Sequence, residues 1–165
     1  MGAGVAQLAA QAGHTVRLHD MQPGAAAKAL ARIGKDLAGA VERGKMTEEE
    51  RDNVLARLTA TESLDSLAGA GLAVEAIVEK LEPKQQLLKA LEDLLGAEAV
   101  LATNTSSISI TAIAQPLEHP ERVVGWHFFN PATRMKLSRS SPAWPLTQRC
   151  YPRCMRCQKP GARPA

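Results

Sequence analysis

Short apolar runs at residues 14–20, 72–76, 99–103 and 123–129 each end in polar or acidic side chains, and stretches with helical spacing lie between them. A weaker run at 58–62 adds a fifth candidate strand. Strands joined through helices are parallel, because a parallel neighbour is reached only by a long crossover. The pattern therefore specifies an α/β chain with a doubly wound, mainly parallel sheet. Right-handed crossovers bring the strand C-termini to one edge, where open α/β sheets take their ligands. Asp20, Glu75, residues 104–107 and residues 127–130 are expected on that rim. Each has a plainer reading as an ordinary loop residue after a strand.

The helix signals are local. Val5, Leu8, Ala9 and Ala12 have helical spacing, and Gly13 suits the position just past a helix end. Pro23 suits the start of a helix carrying Ala29, Leu30, Ile33, Leu37 and Val41, which residues 43–45 break. Thr47 with Glu50 makes a capping box, opening a helix toward Val54, Leu55 and Leu58. Pro83 is expected to start a helix that buries Leu87, Leu88, Leu91, Leu94 and Leu95 and closes at Gly96. Ile108, Ile110 and Ile113 indicate a short helix before Pro116, and Asn130-Pro131 stops the last clear strand. Residues 135–137 look like the start of a returning strand.

The net charge of +3 is unevenly distributed. Residues 1–137 carry 14 Lys and Arg against 17 Asp and Glu. Residues 138–165 carry 6 basic side chains, no acid, all three Cys and five of the ten Pro. One domain over residues 1–137 and a tail over 138–165 is the expected organisation, and the tail's field says nothing of the domain's surface. Apart from Trp144 and Tyr151 the tail lacks aromatic interleaving, so nucleic acid is not an expected partner. Cys150, Cys154 and Cys157 offer a runner-up metal reading, but they lack a fourth ligand and no metal site is expected. With no apolar run of membrane-spanning length and no leader pattern, no membrane is expected and cytoplasm is the default location.

Met1-Gly2-Ala3-Gly4 running into a helix, Asp20, Val-Glu-Ala-Ile-Val-Glu at 74–79, Asn-Thr-Ser-Ser at 104–107 and Gly-Trp-His-Phe-Phe-Asn-Pro at 125–131 stand together in this chain. Together they closely resemble the nucleotide-binding domain of the L-3-hydroxyacyl-CoA dehydrogenases. The resemblance covers residues 1–137 and implies a Rossmann-like fold, NAD as cofactor and an acyl-CoA substrate. The implied chemistry is an oxidoreductase reaction of fatty-acid and lipid metabolism, with hydride passing between an L-3-hydroxyacyl-CoA and NAD. Family members open with a strand and a Gly-Ala-Gly-x-Met-Gly turn, of which Met1 and Gly2 alone stand here. The first strand is therefore expected to be lacking, as is the C-terminal helical domain through which complete relatives dimerise. A central strand is paired on both sides, and its large apolar side chains are worth roughly 1.5–3 kcal/mol each. Net stability is about 5–15 kcal/mol, so such a loss weighs heavily.

The resemblance assigns Gly2 to the cofactor turn and Asp20 to the adenosine ribose, where a carboxylate accepts from the 2′-OH and repels a 2′-phosphate. It assigns Glu79 and Lys84 to the nicotinamide side and ribose, and Ser106 to the space between cofactor and acyl thioester. Arg43 and Lys45 fall in a helical hairpin that in the family reaches the CoA phosphates. They are equally well read as a solvated helix end, and Asp20 as a turn residue. His127 is expected to carry the chemistry, since oxidising a secondary alcohol needs a proton acceptor at the hydroxyl while hydride leaves the same carbon. Its plain alternative is a packed histidine among Trp126, Phe128 and Phe129. Asn130 is expected to hold the nicotinamide or the imidazole.

In the family that histidine is paired with a glutamate twelve residues later, within Leu-Val-Glu-Val, which fixes the imidazole's tautomer. The corresponding residue here is Arg139, in Leu137-Ser138-Arg139-Ser140-Ser141, and an arginine opposes formation of an imidazolium. A codon string such as GTC GAG GTC GTC, for Val-Glu-Val-Val, becomes Ser-Arg-Ser when read one base later. Residues 138–165 are accordingly expected to be out of frame or disordered. The chain is expected to be an inactive or weakly active fragment of such a dehydrogenase. The alternative is a non-catalytic nucleotide-binding or protein-interaction fragment.

Overall fold

The computed structural model describes residues 1–128 and the backbone of residues 138–142. Met1 with residues 3–66 forms one compact unit, and Gly2 with the residues from Leu67 onward forms another.

Helix α1 runs over Gly2–Gln11, and from Ala3 onward it belongs to the first unit. Gly13, at φ 95°, takes the left-handed conformation, with its amide on Ala10 O and that of His14 on Ala9 O, both at 3.1 Å. This pair of bonds satisfies the last helical carbonyls and turns the chain directly into β1 (Val16–His19). After β1 come α2 (Ala25–Glu42), α3 (Glu48–Leu55) and β2 (Leu58–Thr61). Gly24, at φ 73°, caps α2, so Pro23 stands before the cap and not at the first helical position. The capping box is present: Glu50 N donates to Thr47 Oγ1 at 3.1 Å and Thr47 N to Glu50 Oε2 at 2.8 Å.

Strands β1 and β2 pair in parallel, from Val16 opposite Leu58 to His19 opposite Thr61. Ile33 and Leu37 of α2 pack with Ala6 and Ala10 of α1, Leu18 of β1, Val54 of α3 and Leu58 of β2. Burying Ile33 and Leu37 contributes roughly 1.5–3 kcal/mol each. On α1 the buried positions are Val5, Ala6, Gln7 and Ala10, while Leu8 and Ala9 are half-buried and Ala12 is exposed. In an alanine-rich helix the apolar contrast between faces is small, and spacing alone does not select the buried one.

The second unit contains β3 (Leu72–Glu75), α4 (Leu81–Leu94), β4 (Val100–Thr103), α5 (Ile110–Ala114), β5 (Val123–Phe128) and β6 (Ser138–Pro142). The order is β3-β4-β5-β6, parallel through β5 and antiparallel at β6. All four β4 residues are buried, as expected of a strand covered on both faces. Helix α4 starts at Leu81, which makes Pro83 its third residue. The first four helical N–H groups lack intrahelical partners, so proline costs no helical bond there. Its buried residues are Lys84, Leu88, Leu91 and Glu92, two charged groups among the leucines. Glu92 accepts from the amides of Glu118 and His119 at 3.0 and 2.8 Å. Arg122 donates to the carbonyls of Ala99 and Gly96, both at 2.9 Å.

The α/β architecture and parallel pairing match the sequence pattern. The ladders form two separately bonded sheets, β1-β2 and β3-β4-β5-β6, where one sheet short of its first strand was expected. Strand β6 lies in the segment set apart as a tail. Its Ser-Arg-Ser-Ser sequence gives no apolar alternation, because ladder pairing is made by the backbone. Residues 135–137 lie outside the described residues.

Candidate active site

Three parallel strands of the second unit end at one rim. Asn104, directly after β4, donates its amide to Glu75 O at the end of β3 at 2.9 Å. Its side-chain Oδ1 accepts the Phe128 amide at the end of β5 at 2.8 Å. One asparagine thereby ties the strand end that carries His127 to the loop that carries Ser106. His127 is neither fully buried nor fully exposed, while its neighbours Trp126 and Phe128 are buried with ring centroids 5.0 Å apart.

The loop after β4 is organised around Glu79. Glu79 Oε1 accepts the Thr105 hydroxyl, the Ser106 amide at 2.9 Å, the Ser107 amide at 3.3 Å and the Ser107 hydroxyl at 3.2 Å. Thr105 Oγ1 in turn accepts the Ile108 amide at 3.0 Å. Burial alone would raise the Glu79 pKa, but the bonds from Thr105, Ser106, Ser107 and Lys84 outweigh it and hold the carboxyl at about 2. Ser106 itself is exposed at the rim.

Lys84, which the resemblance assigns to the nicotinamide side and ribose, stands in the first turns of α4. It is wholly buried, with Nζ 2.9 Å from both Glu75 oxygens and 3.3 Å from Glu79 Oε2. The ammonium thus bridges two carboxylates, one buried and one at the rim. Glu75, placed on the open rim by the sequence pattern, is likewise buried, accepting from Lys84, the Thr103 hydroxyl and the Ile77 amide. A signal for this existed: Lys84, Leu88, Leu91 and Leu95 follow helical spacing, which puts the lysine on the buried stripe. The parts played by Thr103, Thr105 and the Asn104 side chain left no sequence signal.

In the first unit, Asp20 is exposed directly after β1, and its Oδ1 accepts the Gln22 amide at 2.9 Å. One oxygen thus makes the turn, and a carboxylate has further acceptor capacity for a ribose. Gly2 is the first residue of α1, whose N-cap Met1 supplies no side-chain bond, while its carbonyl takes the Gly4 amide at 2.9 Å, so an anion would be met by the amides before Gly4. A Cβ at Gly2 would meet its nearest neighbour at an ordinary 3.7 Å, so packing does not demand glycine there. Arg43 and Lys45 are both exposed where α2 ends, and the Arg43 guanidinium lies over Gly39. Asn130, Cys150, Cys154 and Cys157 lie outside the described residues. Among the described residues there is no cluster of three or more metal-ligating side chains, and no helix is long and apolar enough to cross a membrane.

Residues 1–138 match the family model described as 3-hydroxyacyl-CoA dehydrogenase, NAD binding domain. The chain belongs to this family. Over 137 residues it is 47% identical to a 3-hydroxyadipyl-CoA dehydrogenase of Escherichia coli (strain K12), covering 83% of this chain and 29% of that relative. It is 42% identical to a probable 3-hydroxybutyryl-CoA dehydrogenase of Bacillus subtilis (strain 168), covering 83% of this chain and 48% of that one. The crystal structure of 3-hydroxybutyryl-CoA dehydrogenase from Escherichia coli K12 superposes with a TM-score of 0.89 at 41% identity, over 96% of this chain and 34% of that one. The chain thus spans less than half the length of these curated relatives.

Proposed function

We propose that this chain binds NAD and forms the nucleotide half of a 3-hydroxyacyl-CoA dehydrogenase site, with His127 as the proton acceptor. The bond from the Phe128 amide to Asn104 Oδ1 carries the reading, because it joins the His127 strand end to the Ser106 loop within one unit. The residues fit the cofactor: uncapped amides at the start of α1 suit a pyrophosphate and Asp20 suits a ribose without a 2′-phosphate. When bound, NAD supplies the hydride acceptor. His127 takes the proton from the substrate hydroxyl, the general-base role for which histidine is most often used. Ser106 presents a hydroxyl at the rim, and Glu79 holds its amide in place. Asn130 supports the nicotinamide or the imidazole, and Arg43 and Lys45 offer cations to CoA phosphates. The acyl-CoA substrate class follows from the names of the relatives.

A second reading, nucleotide binding without turnover, is favoured by one observation. The residue opposite His127 in the β5–β6 register is Arg139, where the family places its glutamate. No carboxylate at that position stabilises an imidazolium. Oxidation of NADH by acetoacetyl-CoA, followed by absorbance, separates the two. Turnover that disappears in His127→Asn supports the first, and NADH binding with no turnover supports the second.

A further inference from the structure

Glu75 is a buried carboxylate that no step of the proposed reaction uses. Both its oxygens bond the Lys84 ammonium at 2.9 Å, Oε1 also accepts the Thr103 hydroxyl, and Oε2 accepts the Ile77 amide at 3.2 Å. The donors come from three places: Thr103 on β4, Ile77 in the segment after β3, and Lys84 on α4. Thr103 and Ile77 thus seat the carboxylate independently of the lysine. A lysine carries a compact charge on a flexible stem, and the counter-charge beside it decides where that charge rests. From there the ammonium reaches Glu79 Oε2 at 3.3 Å, and Glu79 Oε1 gathers the Thr105 hydroxyl with the Ser106 and Ser107 amides.

Stability alone does not call for these charges. A buried ion pair exchanged for apolar side chains of similar volume is often neutral or stabilising. An apolar pair, however, has no atom with which to hold Glu79.

We infer that Glu75, seated by Thr103, is a positioning residue: it fixes Lys84 from the inner side, Lys84 holds Glu79, and Glu79 sets the backbone of Ser106 and Ser107 at the nucleotide site. The positioning is a property of the unliganded chain, and its consequence for cofactor binding rests on the proposed function.

The test uses the whole 165-residue chain, ¹⁵N-labelled, with Glu75→Leu/Lys84→Met as a paired variant and Thr103→Val as a milder one. Three quantities are read: the urea midpoint, amide exchange at Ser106 and Ser107 without ligand, and the NADH fluorescence titration. In the paired variant the midpoint should equal or exceed that of the parent. Exchange at Ser106 and Ser107 should be at least about tenfold faster, and NADH affinity at least about tenfold weaker, as loss of bonds to a charged acceptor implies. Thr103→Val should shift both in the same direction by less, and it decides the matter if the paired variant does not fold. Unchanged exchange in a folded variant overturns the inference. Faster exchange with parental NADH affinity overturns the link to the nucleotide site. A parent that binds no NADH overturns the proposed function, while the exchange rates still decide the positioning.

Discussion

The Lys84 ammonium sits 2.9 Å from both oxygens of Glu75, and neither side chain has more than 1% of its surface exposed. Removing one member of such a pair strands the other charge in the interior, whereas removing both does not. Lys84→Met alone is expected to cost about 3–5 kcal/mol. Adding Glu75→Leu is expected to return all of that or more, and equilibrium urea unfolding of the two variants measures the difference.

Glu79 gives the account a pH signature. Its carboxyl is held at about 2 against an ordinary 4.5, so the folded form binds its proton less readily than the unfolded form. The stabilisation is complete above pH 4.5 and is lost as pH falls toward 2. The stability difference between the parent and Glu79→Gln should therefore be constant near neutrality and shrink through that acid window. Urea midpoints taken at a series of pH values check it, and a difference that grows with acid would contradict it.

The helical pair of the first unit depends on its turn. Thr47→Ala removes the acceptor of the Glu50 amide and should cost about 1 kcal/mol, within the usual 0.5–2 kcal/mol for an N-cap. Thr47→Asp should retain most of the stability, since aspartate is a comparable cap. Thermal unfolding followed by circular dichroism measures both.

Position 139 tests the chemistry directly. The β5–β6 register puts Arg139 opposite His127, and Arg139→Glu supplies the carboxylate that a protonating imidazole requires. Turnover of acetoacetyl-CoA with NADH should rise by roughly 10- to 100-fold in the variant, the range typical of outer partners of a functional histidine. No rise in a folded variant would show that Arg139 does not limit turnover.

Much of the fold could be read from residues in order, because the deciding interactions are local. Gly13 at a left-handed helix end, Thr47 with Glu50, and the apolar strands at 72–75 and 100–103 need few distant partners to be recognised. The buried face of α1 could not be read this way, since Ala6 and Ala10 differ little in character from Ala9 and Ala12. The candidate site divides along the same line. His127, Ser106 and Asp20 stand after or near strand ends, where periodicity puts them. Helical spacing puts Lys84 on the buried stripe, but its partner Glu75 on β3 and the Thr103 hydroxyl on β4 that seats it are not revealed by spacing along one helix.

The central claim is that the strand-end loops of this chain bind NAD. It is tested most directly by titrating the full chain with NADH and NADPH, following nucleotide fluorescence, beside an Asp20→Ala variant. The account predicts saturable NADH binding, at least about tenfold tighter than NADPH, with that preference lost in Asp20→Ala because the ribose contact and the repulsion of a 2′-phosphate disappear together. Absence of saturable NADH binding, or equal affinity for NADPH in the parent, would contradict it.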